Sequence, residues 1–483
     1  MRKRFLLPTL FLAFLLVSSN LFPLSRGAAG TRTPISHVVF VMMENHSFDN
    51  FFGTYPVANG VNNSQIETPA NLLNLPNAPS LVEVPSGNSS TENPNEGFDT
   101  YHFDWDNGKM DRFAQSSGAQ SMTYFTSAQL AIEWDWAEEY SMGDMYFSSV
   151  LSDTNPNRLM SLAGQTPVSA DYGPPPYLSV NQTIMYQLSN SGVSWGYYIS
   201  DPSADWFPLN YFSGINEYSQ NIQSWTSFFS SLQNGTLPSV SWVMPVGGGE
   251  THVSQHPSEN VTEGELWLSN VVDSVMQSPY WNSTAIFITY DEGGGYYDQV
   301  PPPSVDGTQL GFRVPFLVIS PYAKEGYVSS TVLNHGSILA FIEYNWELPA
   351  LGGFVASSNI PLDMFDFNQS YPDGSLVRAP VVVPQSASFP LPFQIPTSSL
   401  PYTRSGSSSI VLNSSIATSI PTTQSRTSSG LPSTTFLSST TSSQSSTPAS
   451  SIQLGSISIV MVIFLLISGT LVVTRLRRQS KKT

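Results

Sequence analysis

The chain has 483 residues, of which only 11% are charged, with a formal net charge of -17 and no cysteine. An acidic chain of this kind is a poor match for nucleic acid, whose phosphates attract basic proteins. The lack of cysteine excludes disulfides, catalytic thiolates and thiolate metal sites.

The N-terminal segment has the pattern of a secretory signal. Basic residues at positions 2–4 are followed by an apolar run, and small residues lie near Gly27. We therefore predict a signal peptide over residues 1–29 and export of the chain. Because no small-x-small triplet marks a cleavage site, an uncleaved anchor is the alternative.

The next segment is an apolar run that ends directly in polar side chains. The sequence ISHVVFVMM leads into Glu44, Asn45 and His46. Such runs form buried strands, and ligands of open α/β sheets bind outside the carboxyl ends of the strands. We predict a strand that presents Glu44 and Asn45 to a ligand, with His46 orienting the loop. The alternative for Glu44 and Asn45 is a helix cap or a loop network.

The body of the chain alternates apolar β-runs with helix-compatible segments. The predicted strands are Val38–Met43, Val193–Ile199, Val240–Val243, Ala285–Tyr290 and Pro315–Ser320, and the predicted helices include Leu266–Gln277 and Ser337–Glu343. This alternation predicts an α/β fold, specifically a three-layer α/β/α sandwich with a mainly parallel sheet, over residues 30–393. The aromatic-rich stretch Gly97–Phe125 is predicted to be a long loop over the strand ends.

A segment late in the chain repeats the arrangement of the first strand. Thr284–Tyr290 is followed by Asp291 and Glu292, so two strand ends present acidic side chains. Carboxylate oxygens suit a hard divalent cation, which can polarise a phosphoryl oxygen. The glycines at 293–295 lack the Lys-Ser/Thr ending of a phosphate-binding loop, so we interpret them as tight backbone after the acidic pair.

The C-terminal part has the composition of a stalk and a membrane anchor. Residues 394–451 are rich in Ser and Thr and cannot bury enough apolar surface to fold, which predicts a disordered stalk. Residues 452–474 are apolar enough to cross a bilayer, and the basic tail 475–483 is predicted to be cytoplasmic. We predict a single-pass cell-membrane protein whose folded domain is extracellular. Glycosylation sequons lie at Asn62, Asn88, Asn181, Asn234, Asn260, Asn282, Asn368 and Asn413.

Six motifs occur in order along the body of the chain. They are HVVFVMMENHSFDNFFG from His37, TNPNRL at Thr154–Leu159, QHP at Gln255–Pro257, YDEGGGYYDQVPPP at Tyr290–Pro303, GFRVPFLVISPY at Gly311–Tyr322 and NHGSIL at Asn334–Leu339. Together they resemble the phosphoesterase family of bacterial phospholipases C and acid phosphatases, within the alkaline phosphatase superfamily. The resemblance implies an alkaline phosphatase-like fold and hydrolysis of phosphoric esters.

The resemblance also implies a catalytic site. It places a divalent metal ion of unknown identity on Glu44, Asn45, Asp291 and Glu292, and makes the hydroxyl of Thr154 the nucleophile. An activated threonine hydroxyl can attack phosphorus in line and form a phosphothreonine that water then hydrolyses. The alternative for Thr154 is an N-cap role.

Further residues in these motifs are candidates for stabilising charge or moving protons. Asn157, His102, His256 and His335 are the candidates that would meet the negative charge of the transition state, and a histidine could also protonate the leaving oxygen. Arg158 has two interpretations, a clamp for phosphate or a partner of a nearby carboxylate.

Three motifs depart from the family pattern. Gln299 stands where the family motif DHVPPP has histidine, and Asn334 stands where DHTS has aspartate. Ser152 and Asp153 replace the usual glycine and proline before Thr154. These changes leave the substrate preference, the number of metal ions and the pH optimum open.

The sequence therefore predicts an extracellular, membrane-anchored, metal-dependent phosphoric ester hydrolase of the acid phosphatase or phospholipase C type. Its substrate would be a phosphate monoester or a phospholipid, nucleic acid is not expected as a partner, and the oligomeric state is not predicted. The main alternative is a catalytically lapsed cell-surface protein that uses the same fold for adhesion or wall interaction. A sulfatase or phosphotransferase relative is a third possibility, although a C/S-x-P-x-R element is lacking.

Overall fold

The computed structural model describes residues 30–56, 82–85, 88–171, 177–200, 208–245, 253–371, 375 and 377–381. The chain divides into two units, Met1–Ser408 and Ser409–Thr483, and the described residues all belong to the first. The predicted signal peptide, stalk, membrane helix and basic tail lie outside the described residues. Within the described part of the chain, no helix is long and apolar enough to span a membrane.

One eight-stranded sheet organises the described residues. Its strands are β1 (His37–Met43), β2 (Ser141–Gly143), β3 (Trp195–Ile199), β4 (Ile222–Ser224), β5 (Val240–Met244), β6 (Thr284–Tyr290), β7 (Phe316–Ile319) and β8 (Tyr327–Ser329). They lie in the order β8, β2, β7, β6, β1, β5, β3, β4. Every neighbouring pair is parallel except those of β7, which runs antiparallel to β6 and β2. The predicted α/β fold with a mainly parallel sheet is confirmed.

Ten α-helices lie in the described residues. They are α1 (Phe48–Phe52), α2 (Phe98–Trp105), α3 (Phe113–Ser116), α4 (Ala131–Glu139), α5 (Thr154–Ala163), α6 (Ile184–Ser191), α7 (Trp225–Asn234), α8 (Val261–Met276), α9 (His335–Trp346) and α10 (Gly353–Ser357). Short two-stranded pairs join Val82–Glu83 to Thr123–Tyr124, Tyr146–Phe147 to Leu333–Asn334, Leu178–Ser179 to Phe212–Ser213, and Ser304–Val305 to Thr308–Gln309.

Side chains of β6 show that helices cover both faces of the sheet. Phe287 packs edge-on against Phe341 of α9, with ring centroids 5.2 Å apart. The hydroxyl of Tyr290, three residues later, lies 2.7 Å from Oε1 of Glu133 on α4. Because side chains alternate between faces along a strand, α9 and α4 lie on opposite sides of β6. The central strands are accordingly buried on both faces and apolar almost throughout.

The prediction of a long loop over Gly97–Phe125 is wrong, because α2 and α3 form there. In α2 the residues Phe98, Tyr101 and Trp105 recur at helical spacing, and Tyr101 is almost fully buried. Tyr101 and Trp105 pack in one aromatic cluster, so this stretch is a helix with a buried face, which the aromatic content alone did not distinguish from a loop.

Candidate active site

The ends of β1 and β6 bring two acidic segments together. The strands pair in parallel with Met43 opposite Tyr290, so the residues that follow each strand emerge side by side. The backbone N–H of Asn45 donates to Oδ1 of Asp291 over 3.1 Å, and the N–H of Glu292 donates to the same oxygen over 2.8 Å. The predicted neighbourhood of these side chains is present.

Arg158 lies between two of these carboxylates. Its Nη2 donates to Oε1 of Glu44 over 2.6 Å, and its Nε donates to Oδ2 of Asp291 over 3.1 Å. The guanidinium is 1% exposed, so both ion pairs are shielded from water. Of the two interpretations that the sequence left open, the structure shows the pairing with carboxylates.

Asn45 is held in an orientation that leaves one buried oxygen without a partner. Its backbone is left-handed, with φ 60°, a conformation that asparagine tolerates better than most residues. Its Nδ2 donates to Oε2 of Glu96 over 2.6 Å and lies 3.1 Å from Nε2 of His256. The amide nitrogen is thereby fixed, while the buried Oδ1 has no partner. An unpaired buried carbonyl oxygen is costly unless another group binds it.

Glu292 is held through one of its two oxygens. Oε2 accepts hydrogen bonds from the hydroxyl of Tyr101 on α2, over 2.6 Å, and from the N–H of Gly294, over 2.5 Å. Gly294 has φ +62°, and a Cβ there would collide with the carbonyl oxygen of Asn45. The interpretation of these glycines as tight backbone agrees with this close approach.

The electrostatics of the cluster favour an added cation. Burial, followed by repulsion from Glu44, raises the pKa of Asp291 to about 6. Burial and neighbouring carboxylates also raise the pKa of Glu292, and burial raises that of Glu96. The carboxyl groups therefore outnumber the cations that are buried beside them, of which Arg158 is the main one.

The donor atoms fit a hard divalent ion in chemical type. Arg158 engages Oε1 of Glu44, and Oε2 of Glu292 accepts the two bonds given above, so the second oxygen of each carboxylate can serve another partner. With the unpaired Oδ1 of Asn45 these are the hard oxygen ligands that such ions prefer. Across the described residues, no three His, Asp or Glu side chains converge closely enough by themselves to hold a metal. The asparagine oxygen would thus be an essential member of the set.

Thr154 is the first residue of α5 and is half-buried. The N-cap is Asp153, so the structure does not support the alternative of an N-cap role for Thr154. Because residues four apart lie on the same face of a helix, Thr154 is one turn above Arg158. The predicted nucleophile therefore stands on the helix face that reaches Glu44 and Asp291.

Two of the predicted residues lie behind the site rather than in it. Asn157 is fully buried, its Oδ1 accepts from the N–H of Val150, and its Nδ2 donates to the carbonyls of Val150, Ser152 and Asp153. His335 is also fully buried, and burial lowers its pKa to about 4. In these positions they stabilise the loop before Thr154 and the backbone of Asp291 respectively.

His335 reaches the site only through backbone and through Tyr146. Its Nε2 donates to the carbonyl of Asp291 over 2.9 Å, so its Nδ1 accepts from the Tyr146 hydroxyl, 3.1 Å away. Both ring nitrogens are thus engaged, which leaves none to protonate a leaving group. A role for His335 in contact with substrate stays a prediction that its burial disfavours.

His256 and His102 are the more accessible histidines. Burial opposes a charge on His256, but the carboxylates of Glu44, Glu96 and Asp291 outweigh it and raise its pKa. The ring lies 3.8 Å from Glu96 and is 30% exposed, so His256 stands at the open side of the cluster. His102 lies on α2, where its Nδ1 donates to the carbonyl of Phe98 over 2.8 Å.

Sequence analysis missed three residues that the structure places around this cluster. Glu96 holds the Asn45 amide, Tyr101 holds Glu292, and Asp171 accepts from the N–H of Asn155 over 2.6 Å. None of them follows an apolar strand, which was the signal used for Glu44 and Asp291. A helical spacing of aromatics over α2 would have pointed to Tyr101.

His46 is fully enclosed beside the site. Its Nδ1 lies 2.7 Å from Oδ1 of Asn50, its Nε2 lies 2.8 Å from the carbonyl of Gln255, and its ring stacks on Tyr296. These contacts tie the loop after β1 to the segment that carries His256. They match the prediction that His46 orients its loop.

Comparison with known sequences identifies the family. A sequence model of the phosphoesterase family, described as "Phosphoesterase family", matches residues 35–349. This range contains all nine predicted site residues, and the motif resemblance is confirmed.

Several curated proteins are similar over most of the chain. The non-hemolytic phospholipase C of Burkholderia pseudomallei is 27% identical over 448 residues, which cover 73% of this chain and 61% of that protein. Phospholipase C A of Mycobacterium tuberculosis is 27% identical over 66% of this chain and 74% of its own length. Non-specific phospholipase C3 of Arabidopsis thaliana is 26% identical over 63% of this chain and 66% of its own length. The chain thus spans less than two thirds of the Burkholderia protein.

Solved structures match more distantly. The phosphonate monoester hydrolase of Agrobacterium radiobacter has a TM-score of 0.38 and 9% identity, over 68% of this chain and 77% of that one. A Vibrio parahaemolyticus protein of the alkaline phosphatase superfamily has a TM-score of 0.30 and 15% identity, over 48% of this chain and 65% of that one. Scores this low support no inference about function.

Proposed function

The chain belongs to the phosphoesterase family, a family of phosphoric ester hydrolases, and on this basis we propose a divalent-metal-dependent hydrolase in which Thr154 is the nucleophile. The observation that supports it best is the unpaired, buried Oδ1 of Asn45. It lies at the joined ends of β1 and β6, among carboxyl groups in excess of the nearby cations.

Glu44, Asn45, Asp291 and Glu292 would hold the metal ion. When bound, such an ion acts as a Lewis acid that polarises a phosphoryl oxygen and lowers the pKa of a nearby hydroxyl. Arg158 holds Glu44 and Asp291 in place through its two ion pairs. Glu96 orients Asn45 by accepting a hydrogen bond from its Nδ2, and the backbone N–H of Gly294 orients Glu292 by donating to its Oε2.

Thr154 would attack the phosphorus of the ester. Its Oγ1 forms a bond to phosphorus and gives its proton to solvent water, while the bond from phosphorus to the leaving alcohol oxygen breaks. We assign the proton for the departing oxygen to His256, at the open side of the cluster. Water then cleaves the phosphothreonine, releases the phosphoryl product and restores the hydroxyl.

We favour a phosphodiester of a lipid as the substrate. The similar proteins from Burkholderia, Mycobacterium and Arabidopsis all carry the name phospholipase C. The sequence adds a predicted export signal and a predicted membrane helix, which would keep the domain at the outer face of a membrane. A phosphate monoester remains the competing substrate, and the test below separates the two.

The test is hydrolysis of para-nitrophenyl phosphate and para-nitrophenylphosphorylcholine by the full chain in detergent, from acidic to neutral pH. We expect turnover of the choline ester, its loss in chelator, and its recovery on adding divalent cations. Thr154→Ala should lower kcat by about 1,000-fold or more, as expected for loss of a nucleophile. The control Thr308→Ala, on the short pair Ser304–Val305 and Thr308–Gln309, should retain activity.

The outcomes separate the alternatives. Turnover of the monoester alone would make the protein a phosphatase. Activity that survives chelation or the loss of Thr154 would overturn the mechanism but not the class. Failure of the metal-loaded chain to turn over either ester would favour the lapsed cell-surface protein.

A further inference from the structure

A buried hydrogen-bond chain lies directly behind the site. The hydroxyl of Tyr290 is placed between Oε1 of Glu133, at 2.7 Å, and Oε1 of Gln255. Glu133, Gln255 and Tyr290 are each 1% exposed or less. Tyr290 directly precedes the ligand candidate Asp291, and Gln255 directly precedes His256.

Counting protons over these three side chains shows which of them is neutral. Nε2 of Gln255 donates to the carbonyl of Val261 over 3.0 Å, so its Oε1 must be the atom that faces Tyr290. A hydroxyl has one proton, yet Tyr290 faces an acceptor on each side if Glu133 is ionised. A second proton is therefore required, and the carboxyl group of Glu133 is the group that can carry it.

Glu265 is the second carboxyl group of this buried pair, and burial, followed by repulsion from Glu133, raises its pKa as well, which the backbone of α4 partly offsets. Its Oε1 accepts from the N–H groups of Ile132 and Glu133, over 3.0 and 3.3 Å, in the first turn of α4. Such N–H groups, at the positive end of the helix dipole, favour an ionised carboxylate. Oε2 of Glu133, in contrast, is buried without a partner, which is less costly for a neutral acid.

We propose that Glu133 is a positioning residue of the active site, a neutral carboxylic acid that donates to Tyr290, which in turn donates to Gln255. The inference rests on the proposed function, because it concerns the geometry of that site. Through Tyr290 this hydrogen-bond chain fixes the end of β6 at Asp291, and through Gln255 it fixes the segment that carries His256. The carbonyl of Gln255 also lies 2.8 Å from Nε2 of His46, which continues the network to the loop after β1.

This hydrogen-bond chain makes the active site sensitive to alkaline pH. Ionised Glu133 cannot donate, so Tyr290 must turn to the carboxylate and release Gln255. The groups that face Glu133 are Glu265 of α8, Tyr290 of β6 and Gln255, with His46 beyond Tyr290 and Asp135 near Glu265. Burial raises the pKa of Glu133 to about 7, which sets the range where this change occurs.

The test compares Glu133→Gln, Glu133→Leu and the control Glu138→Gln, an exposed residue on the same helix. The amide introduced by Glu133→Gln can donate but not ionise, so we expect kcat to stay near the wild-type value in mild acid and the alkaline limb of its pH profile to move upward. Glu133→Leu should lower kcat by about 10- to 100-fold with a smaller change in KM, as for other supporting partners of metal ligands. Glu138→Gln should match the wild type throughout.

An unchanged alkaline limb in Glu133→Gln, or a wild-type kcat in Glu133→Leu with native near-UV circular dichroism, would overturn the inference. A readout independent of turnover separates it from the proposed function. Infrared spectra of the full chain at mildly acidic pH should show a protonated carboxyl band that Glu133→Gln removes. Calorimetric binding of Mn²⁺ or Zn²⁺ should weaken in Glu133→Leu even if no ester is hydrolysed. The inference would be refuted if a native-like Glu133→Leu variant bound these cations as the wild type does and Glu133→Gln kept the carboxyl band.

Discussion

Arg158 is the residue on which the site depends most directly. It is buried between Glu44 and Asp291, and no other cation in the described ranges contacts both. The sequence left it with two interpretations because a motif gives a residue type but not its neighbour in space. The residues that follow the strands were predictable, since strand ends are visible in sequence, whereas Glu96 and Asp171 are brought there by tertiary packing alone.

Replacing Arg158 by Met should destabilise the fold strongly. The change leaves two buried carboxylates without their cation, which costs about 3–5 kcal/mol in comparable buried pairs. Urea unfolding measures this directly. The control Arg32→Met breaks an exposed pair with Glu347, whose side chains are 47% and 64% exposed, and should cost less than about 1 kcal/mol. Similar losses in the two variants would contradict the assigned role of Arg158.

At the scale of elements, the β1 and β6 pair determines the geometry of the site. Both strands were predictable to within a residue, because an unbroken apolar run of seven or so residues has few other stable states. Their parallel direction agrees with the mainly parallel sheet that the alternation with helices implied, whereas the register, with Met43 opposite Tyr290, comes from the structure. Helix α2 was not predicted from its aromatic content, although its aromatics recur at helical spacing; in the structure it contacts Glu292 and a packed aromatic cluster.

Gly294→Ala tests the close approach of the two strand ends. The new Cβ would meet the carbonyl oxygen of Asn45, so the loop must move and the Asn45 oxygen with it. We expect loss of most activity and weaker binding of divalent cations, measured by kinetics and calorimetry. Gly307→Ala is the matched control, since its φ is also positive, +78°, but nothing lies near its Cβ.

The control isolates the cost of the backbone conformation, about 1 kcal/mol, from the cost of the collision. Equal effects of the two substitutions on cation binding would show that the close approach is unimportant.

For the whole molecule, the excess of buried carboxyl groups has a consequence for stability. Burial raises the pKa of Asp49 to about 7, of Asp104 to about 6 and of Glu343 to about 7, against ordinary values near 4. A raised pKa means that the folded state holds protons that the unfolded chain has released. The stabilisation of the folded state by these bound protons is complete below the ordinary pKa of the carboxyl group. It is lost as the pH rises through the pKa of that group in the folded state.

We therefore expect the fold to be more stable in mild acid than at neutral pH. Calorimetric Tm should fall as the pH is raised from about 5 to about 7.5, in the window set by these pKa values. Glu343→Gln should make the slope shallower, because the amide cannot ionise. A Tm that rises over this range would contradict the assignment of neutral buried carboxyls.

The ion pairs of Arg158 also have a temporal consequence. Arg158 and Glu44 are 114 residues apart in the chain, Arg158 and Asp291 are 133 apart, and Asn45 and Asp291 are 246 apart. Contacts so distant in sequence close late, because long stretches of chain must be ordered first. Recovery of activity during refolding should accordingly lag behind the return of helical signal. A chain that is still incomplete would then carry no hydrolase activity.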